Sequence, residues 1–132
     1  MAVARLVAVL LVGLAAVGCM TVHDVLVGRR WSLVEVDGGL PVAEADVSFA
    51  SDGTFVARTG CNTVDGTYHL EGNRILVDSE QAAMLPCDQA TASQEAAVLG
   101  VLHDRPVYAI DTGSGRLRLT SDAGRVLLFE PR

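Results

Sequence analysis

From Arg30 to the end of the chain, no alternating apolar run goes far before a turn signal interrupts it. This spacing limits the available folds more than any other feature. "RWSLVEV" alternates, with Trp31, Leu33 and Glu35 on one face and Ser32, Val34 and Val36 on the other, and "DGG" closes it. "DVSFA" and "TFVAR" flank Ser51-Asp52-Gly53, and "TYHLE" and "RILVD" flank Glu71-Gly72-Asn73. Near the C-terminus, "PVYAID", "RLRLT" and "RVLLFE" are separated by "TGSG" and "SDAG". Period-two alternation bounded by Gly, Asp and Asn predicts hairpins. Connections this short join antiparallel strands.

One segment breaks the period. "TASQEAAVLGVLHD", residues 91–104, predicts a helix. Thr91 with Gln94 three residues on fits a capping box. Ala92, Ala96, Leu99 and Leu102, with Val98 and Val101 beside them, form one apolar stripe. Pro106 ends the helix, and Gly100 weakens it by about 1 kcal/mol relative to alanine. The 132 residues support a single core, and no repeat at solenoid periods stands out. The expected fold is α+β and mainly antiparallel. It is a small curled sheet or open barrel of about seven to eight strands, with the helix covering one opening. Curling matters because a flat sheet of this size leaves its edges exposed.

The first residues belong to a different regime. Arg5 precedes an unbroken apolar run from Leu6 to Val17. The run is short of the roughly 20 residues of a stable membrane span but suits a secretory signal. It leads to "AVGC", which resembles a bacterial lipobox with Cys19 as the lipidated first residue of the mature chain. The usual leucine three places before the cysteine is Ala16 here. Ordinary cleavage after Gly18 is the alternative, and it would leave Cys19 as an odd thiol. The expected organisation is a signal peptide at 1–18, the lipidated cysteine and a tether at 19–28, and a domain at 29–132. The chain is then exported and lipid-anchored on the outer side of the cell membrane. A nine-residue tether reaches about 30 Å when extended.

Setting Cys19 aside leaves Cys61 and Cys87. An even pair in an exported chain is most simply a disulfide. The closed loop of about 27 residues would stabilise the fold by about 3.5 kcal/mol. The alternatives are a metal site and a redox dithiol. A metal site wants four ligands, and His23, His69 and His103 are scattered. No C-x-x-C is present for thioredoxin-like chemistry.

The chain has no lysine, which removes Schiff-base chemistry and lysine bases. A net charge of -6 argues against nucleic acid as a partner. Arg29-Arg30 and the pair Arg116 and Arg118 make no patch with interleaved aromatics. Ser114 in "GSG" lacks the strand–elbow–helix setting of a hydrolase nucleophile and predicts a hairpin turn. His103 and Asp104 are adjacent on a helix and so do not face each other; His103 suits the helix C-terminus. His69 alternates toward solvent. Asp78 and Glu80 lack the spacing of a calcium loop. No catalytic residue, metal ligand or cofactor is expected.

"GCNTVDGTY" matches the pattern G-C-N-x-x-x-G-x-Y. A hydrophobic strand, "MLPC", a helix with Glu95 near its start and "Y-x-I…L-x-L…G-x-x-L-x-F" follow it, and "RRWSLVEVDG" precedes it. Together these resemble the META-domain family, also called HslJ-like, over Arg29 to Glu130. The family's second motif often reads T-x-M-x-C, where this chain has Ala83 and Leu85 in place of the threonine and methionine. The resemblance implies a small β-rich domain with one helix, often exported or lipid-anchored, with no established catalytic activity and links to stress, antibiotic tolerance, motility or virulence. It marks Cys61 and Cys87 as bridge candidates, and Gly60, Asn62, Gly66 and Tyr68 as motif positions with structural roles in turns and core. Two functions are expected. One is an envelope lipoprotein that binds the membrane through its lipid and meets an envelope partner under stress. The other is a carrier for a lipid or hydrophobic peptide, lined by Phe49, Phe55, Ile75, Tyr108, Leu119 and Phe129. The plain alternative for those six is ordinary core.

Overall fold

The computed structural model describes residues 25–132, together with Gly13. Cys19 and the apolar run before it lie outside the described residues. Among the described residues the named elements follow in order: β1 (Arg30–Val36), β2 (Asp46–Phe49), β3 (Thr54–Arg58), β4 (Thr63–Glu71), β5 (Arg74–Ala82), α1 (Gln89–His103), β6 (Val107–Ile110), β7 (Leu117–Thr120) and β8 (Val126–Pro131). Each strand pairs antiparallel with its sequence neighbour, and β8 returns to β1, so the sheet is a closed barrel rather than an open one. Closure runs from Trp31 opposite Pro131 to Val36 opposite Leu127.

Serial antiparallel order puts alternate connections at opposite ends. The entry to β1 and the β2–β3, β4–β5 and β6–β7 turns share one end. The β1–β2, β3–β4 and β7–β8 connections and α1 share the other. The predicted turns are formed where expected. Asp52 Oδ1 accepts from Thr54 N at 3.0 Å, and Asp111 Oδ1 accepts from the backbone N–H groups of Gly113 and Ser114.

The inward faces follow the alternation, with one correction. A bulge between Leu33 and Glu35 shifts the register, so Val36 rather than Glu35 resumes the inward side opposite Leu127. Inside, Phe49, Phe55, Ile75, Tyr108, Leu119 and Phe129 belong to a single core with Trp31 and Leu33. The helix contributes Val98, Val101 and Leu102 to that core, so it plugs one end. At the other end, Leu26 is fully buried, and its carbonyl accepts from the Trp31 indole N–H at 2.9 Å. Gly28 N donates to Phe49 O at 2.9 Å. Residues 25–28, expected in the tether, are therefore part of the domain.

Strands β4 and β5 run longer than the alternation suggested. They pair from Glu71 opposite Arg74 to Val64 opposite Ala82, with an extra residue at Asp78. The far half of β5 is polar and exposed, so no apolar rhythm marks it in the sequence. Against β6, β5 makes a single ladder pair, Arg74 with Val107. Hydrogen bonds from Ile75 N to Pro106 O and from Tyr108 N to Asn73 O flank that pair.

Candidate functional site

The chain's most distinctive sequence, "TGCN", folds as the β3–β4 connection beneath the first turns of α1. Its Cys61 is joined to Cys87, with the Cα atoms 5.8 Å apart. That bond sits one residue before Asp88, whose carboxylate accepts from Thr91 N at 2.8 Å and caps the helix. The helix thus starts at Gln89, earlier than a Thr91 cap would place it. Aspartate is among the strongest N-cap residues, and its position is fixed by the adjacent bridge. Hydrogen bonds from the Thr91 backbone, then from its hydroxyl, hold the Asp88 carboxyl below its ordinary value.

Two polar side chains are drawn inward just beyond the cap. Gln94 and Glu95 are both buried. Gln94 Nε2 donates to Thr59 O at 2.8 Å and Ala43 O at 3.0 Å, while its Oε1 accepts from Val42 N at 2.7 Å. Glu95 accepts from Thr59 Oγ1 at 2.7 Å, Asn62 N at 3.1 Å and Asn62 Nδ2 at 3.1 Å. Asn62 Oδ1 in turn accepts from Leu85 N at 2.8 Å. Residues from four segments are thereby locked together at one end of the barrel. The polar pair also rotates the helix: Ala92 and Ala96, expected in the apolar stripe, are exposed, and Leu99 is half-buried.

The motif positions have distinct duties here. Gly60 has φ +93°, and a Cβ on it would meet Ala43 Cβ and Gln94 Nε2, each at 2.8 Å. Gly66 lies where β5 crosses closest, and a Cβ there would stand 2.0 Å from Ser79 O. Tyr68 lies toward the opposite end. Its ring meets Phe49 edge-on at 5.1 Å, and its hydroxyl donates to Ala50 O at 2.7 Å.

The polar groups singled out in the sequence are dispersed. Ser114 Oγ accepts from Arg116 N at 3.2 Å in the β6–β7 turn. His103 contacts Glu80, and Asp104 accepts from Ala123 N at 3.0 Å, so the two neighbours diverge. His69 is held between Asp78 at 2.9 Å and Glu71 at 3.1 Å, which separates Asp78 and Glu80 into different pairs. Hydrogen bonding to Asp78 first, then to Glu71, raises the His69 pKa above its ordinary 6.5. Among the described residues, no group of three or more His, Cys, Asp or Glu side chains is placed to hold a metal ion. No buried side-chain nitrogen or oxygen among them lacks a hydrogen-bond partner.

The sequence pointed to Cys61, Asn62 and Cys87 but not to Thr59 or Gln94 as members of this network. The signal was a Gln-Glu pair inside an otherwise apolar helix, a costly arrangement unless both side chains have partners.

The structure supplies polar latching and a covalent link, and comparison with known proteins places the chain among similar folds. The model of the META domain matches residues 24–132. An NMR structure of a protein from Burkholderia xenovorans is similar at a TM-score of 0.64 and 20% identity, covering 83% of this chain and 85% of that one. A second NMR structure is similar at a TM-score of 0.68 and 14% identity, covering 83% and 95%. The crystal structure of a DUF4847 family protein from Bacteroides vulgatus ATCC 8482 follows at 0.61 and 15%, covering 83% and 96%. At these identities the structural likeness concerns the fold alone. No curated protein matches the chain.

Proposed function

Since the chain belongs to the META-domain family, we propose that it is a non-enzymatic, exported and lipid-anchored domain that supports cell-envelope integrity or tolerance of stress and antibiotics. The observation that carries this is the Cys61–Cys87 bond at the base of α1. Such bonds persist outside the reducing cytoplasm. The apolar run ending in "AVGC" supplies the matching address and a lipid acceptor in Cys19. The absence of catalysis has its support in the network itself: Thr59, Asn62, Gln94 and Glu95 spend their polar atoms on one another and on backbone.

A carrier of lipid or hydrophobic peptide has less support. Phe49, Phe55, Ile75, Tyr108, Leu119 and Phe129 are at most 4% exposed within the packed core. A guest among them would have to displace close-packed side chains.

The test is complementation of cells that lack the protein, challenged with an envelope stress, alongside the mass of the mature chain. The wild-type chain should restore tolerance and begin at an acylated Cys19, and Cys19→Ser should do neither. An unmodified Cys19, or full rescue by Cys19→Ser, would remove the anchored-lipoprotein function.

A further inference from the structure

The charges of this acidic chain are sorted onto opposite walls of the barrel. On the outer face of β1, β2 and β3, Asp46 is buried beneath three arginines. Its carboxylate accepts from Arg58 Nη1 at 3.0 Å and lies 3.9 Å from Arg30 Nε and 3.6 Å from Arg132 Nη1. Only Arg58 is near enough for a hydrogen bond. One carboxylate cannot neutralise three guanidinium groups, and each is about half-exposed with most of its donors unspent. Arg29 stands at the same rim, its guanidinium carbon 5.6 Å from the centre of the Trp31 ring. Four of the ten basic side chains thus gather here. Glu130, which faces Ser32 from β8, has its own partner in Arg116 at 2.8 Å. Glu35 and Glu44 lie toward the α1 end.

β5 stands four strands from β1 in either direction round the ring. There Asp78 and Glu80, with Glu71 from β4, meet only His69 and His103. The barrel therefore has a basic wall and an acidic wall. Its basic wall begins where the chain enters from residue 25, since Arg132 N donates to Arg30 O at 2.9 Å. With a net charge of -6, the chain as a whole is repelled by an anionic surface. Held close to one, it lowers its energy by turning the arginine wall inward and the β5 wall outward.

We propose that the wall around Asp46, bearing Arg29, Arg30, Arg58 and Arg132, docks on the anionic headgroups of a phospholipid bilayer. The barrel then tilts on its tether until β1 to β3 meet the membrane. The proposal rests on the anchored reading for bringing the bilayer within reach, and the experiment supplies that anchor itself.

The mature chain, residues 19–132 after either cleavage, is coupled through Cys19 to a maleimide lipid; Cys61 and Cys87 are bridged and do not compete. The anchor is then present whether or not cells acylate Cys19. Nanodiscs of phosphatidylcholine, alone or mixed equally with phosphatidylglycerol, carry a trace of gadolinium-chelate lipid, and backbone amide NMR reads which residues approach it. In the mixed discs, the amides of residues 30, 48, 58 and 132 should broaden and those of residues 76–80 should not. Phosphatidylcholine alone should give no such contrast. Half-molar salt, which screens exposed charges beyond about 4 Å, should erase it. Arg30→Gln with Arg132→Gln leaves the Arg58–Asp46 pair in place. It should shift the docked-to-undocked ratio about 25-fold, at about fivefold for each arginine near an anionic surface. Arg105→Gln with Arg125→Gln removes the same charge from the α1 end and should preserve the contrast. If the first double variant unfolds, the salt and phosphatidylcholine arms still decide. No contrast in the mixed discs, an equal contrast in phosphatidylcholine or in half-molar salt, or equal loss in both double variants would overturn the proposal. An unacylated Cys19 in cells, with the contrast intact, would overturn only the anchored reading.

Discussion

The two ends of the barrel are sealed by different physics. At the α1 end, a disulfide, an N-cap and a web around Gln94 and Glu95 tie residues distant in sequence. At the opposite end, Leu26 fills the opening beneath Trp31, and Tyr68 packs on Phe49. The first end depends on chemistry that a reductant can undo. The second depends on apolar burial, which is indifferent to redox state. A helix with two buried polar residues needs partners for both, whereas at the Leu26 end apolar burial is joined only by hydrogen bonds to backbone carbonyls, from Trp31, Gly28 and Tyr68.

The comparison is broken most forcefully at the bridge. Replacing Cys61 and Cys87 with alanine, or reducing them, should cost about 3.5 kcal/mol of unfolding free energy in urea. If reduction leaves the urea midpoint unchanged, the α1 end is held by its polar web without the bond. Leu26→Ala probes the other end and should cost about 3 kcal/mol through transfer loss and a cavity. Its effect should be the same with and without reductant; a strong redox dependence would mean that the two ends are coupled. Glu95→Gln sharpens the account of the web. The new amide turns a donor toward Thr59 and Asn62, which already donate, and leaves a buried clash worth about 2 kcal/mol. Equal stability of that variant would show that the carboxylate contributes no specific acceptor role.

The smallest effect belongs to His69. Its folded pKa lies above 6.5, so the stabilisation from Asp78 and Glu71 is complete below 6.5 and fades as pH rises through the folded value. An NMR titration should place the His69 midpoint above 6.5, and the pH profile of His69→Gln should lack that step. A midpoint at or below 6.5 would contradict the pairing.

Much of this architecture was legible in the sequence, for reasons that differ by element. Strands such as β1 and β3 bury one face, so burial writes period two into their residues. The end of β5 buries neither face and leaves no such mark, which is why its extension past Asp78 was hidden. Closure through β8 and β1 is a long-range pairing with no local signature. The helix was visible, but its start was misplaced because Thr91 and Gln94 imitate a capping box, while Asp88 holds the cap and Gln94 reaches across to Ala43 and Thr59. Gly66 was marked by motif but explained only by the nearness of Ser79 O.

The entry to β1 lies beside the other terminus, with Arg132 N donating to Arg30 O at 2.9 Å. Whatever takes hold of the chain at residue 25 therefore has the barrel by its greasy stopper. The sulfur-sealed face is left pointing away from that grip, like the working head of a tool held by its handle.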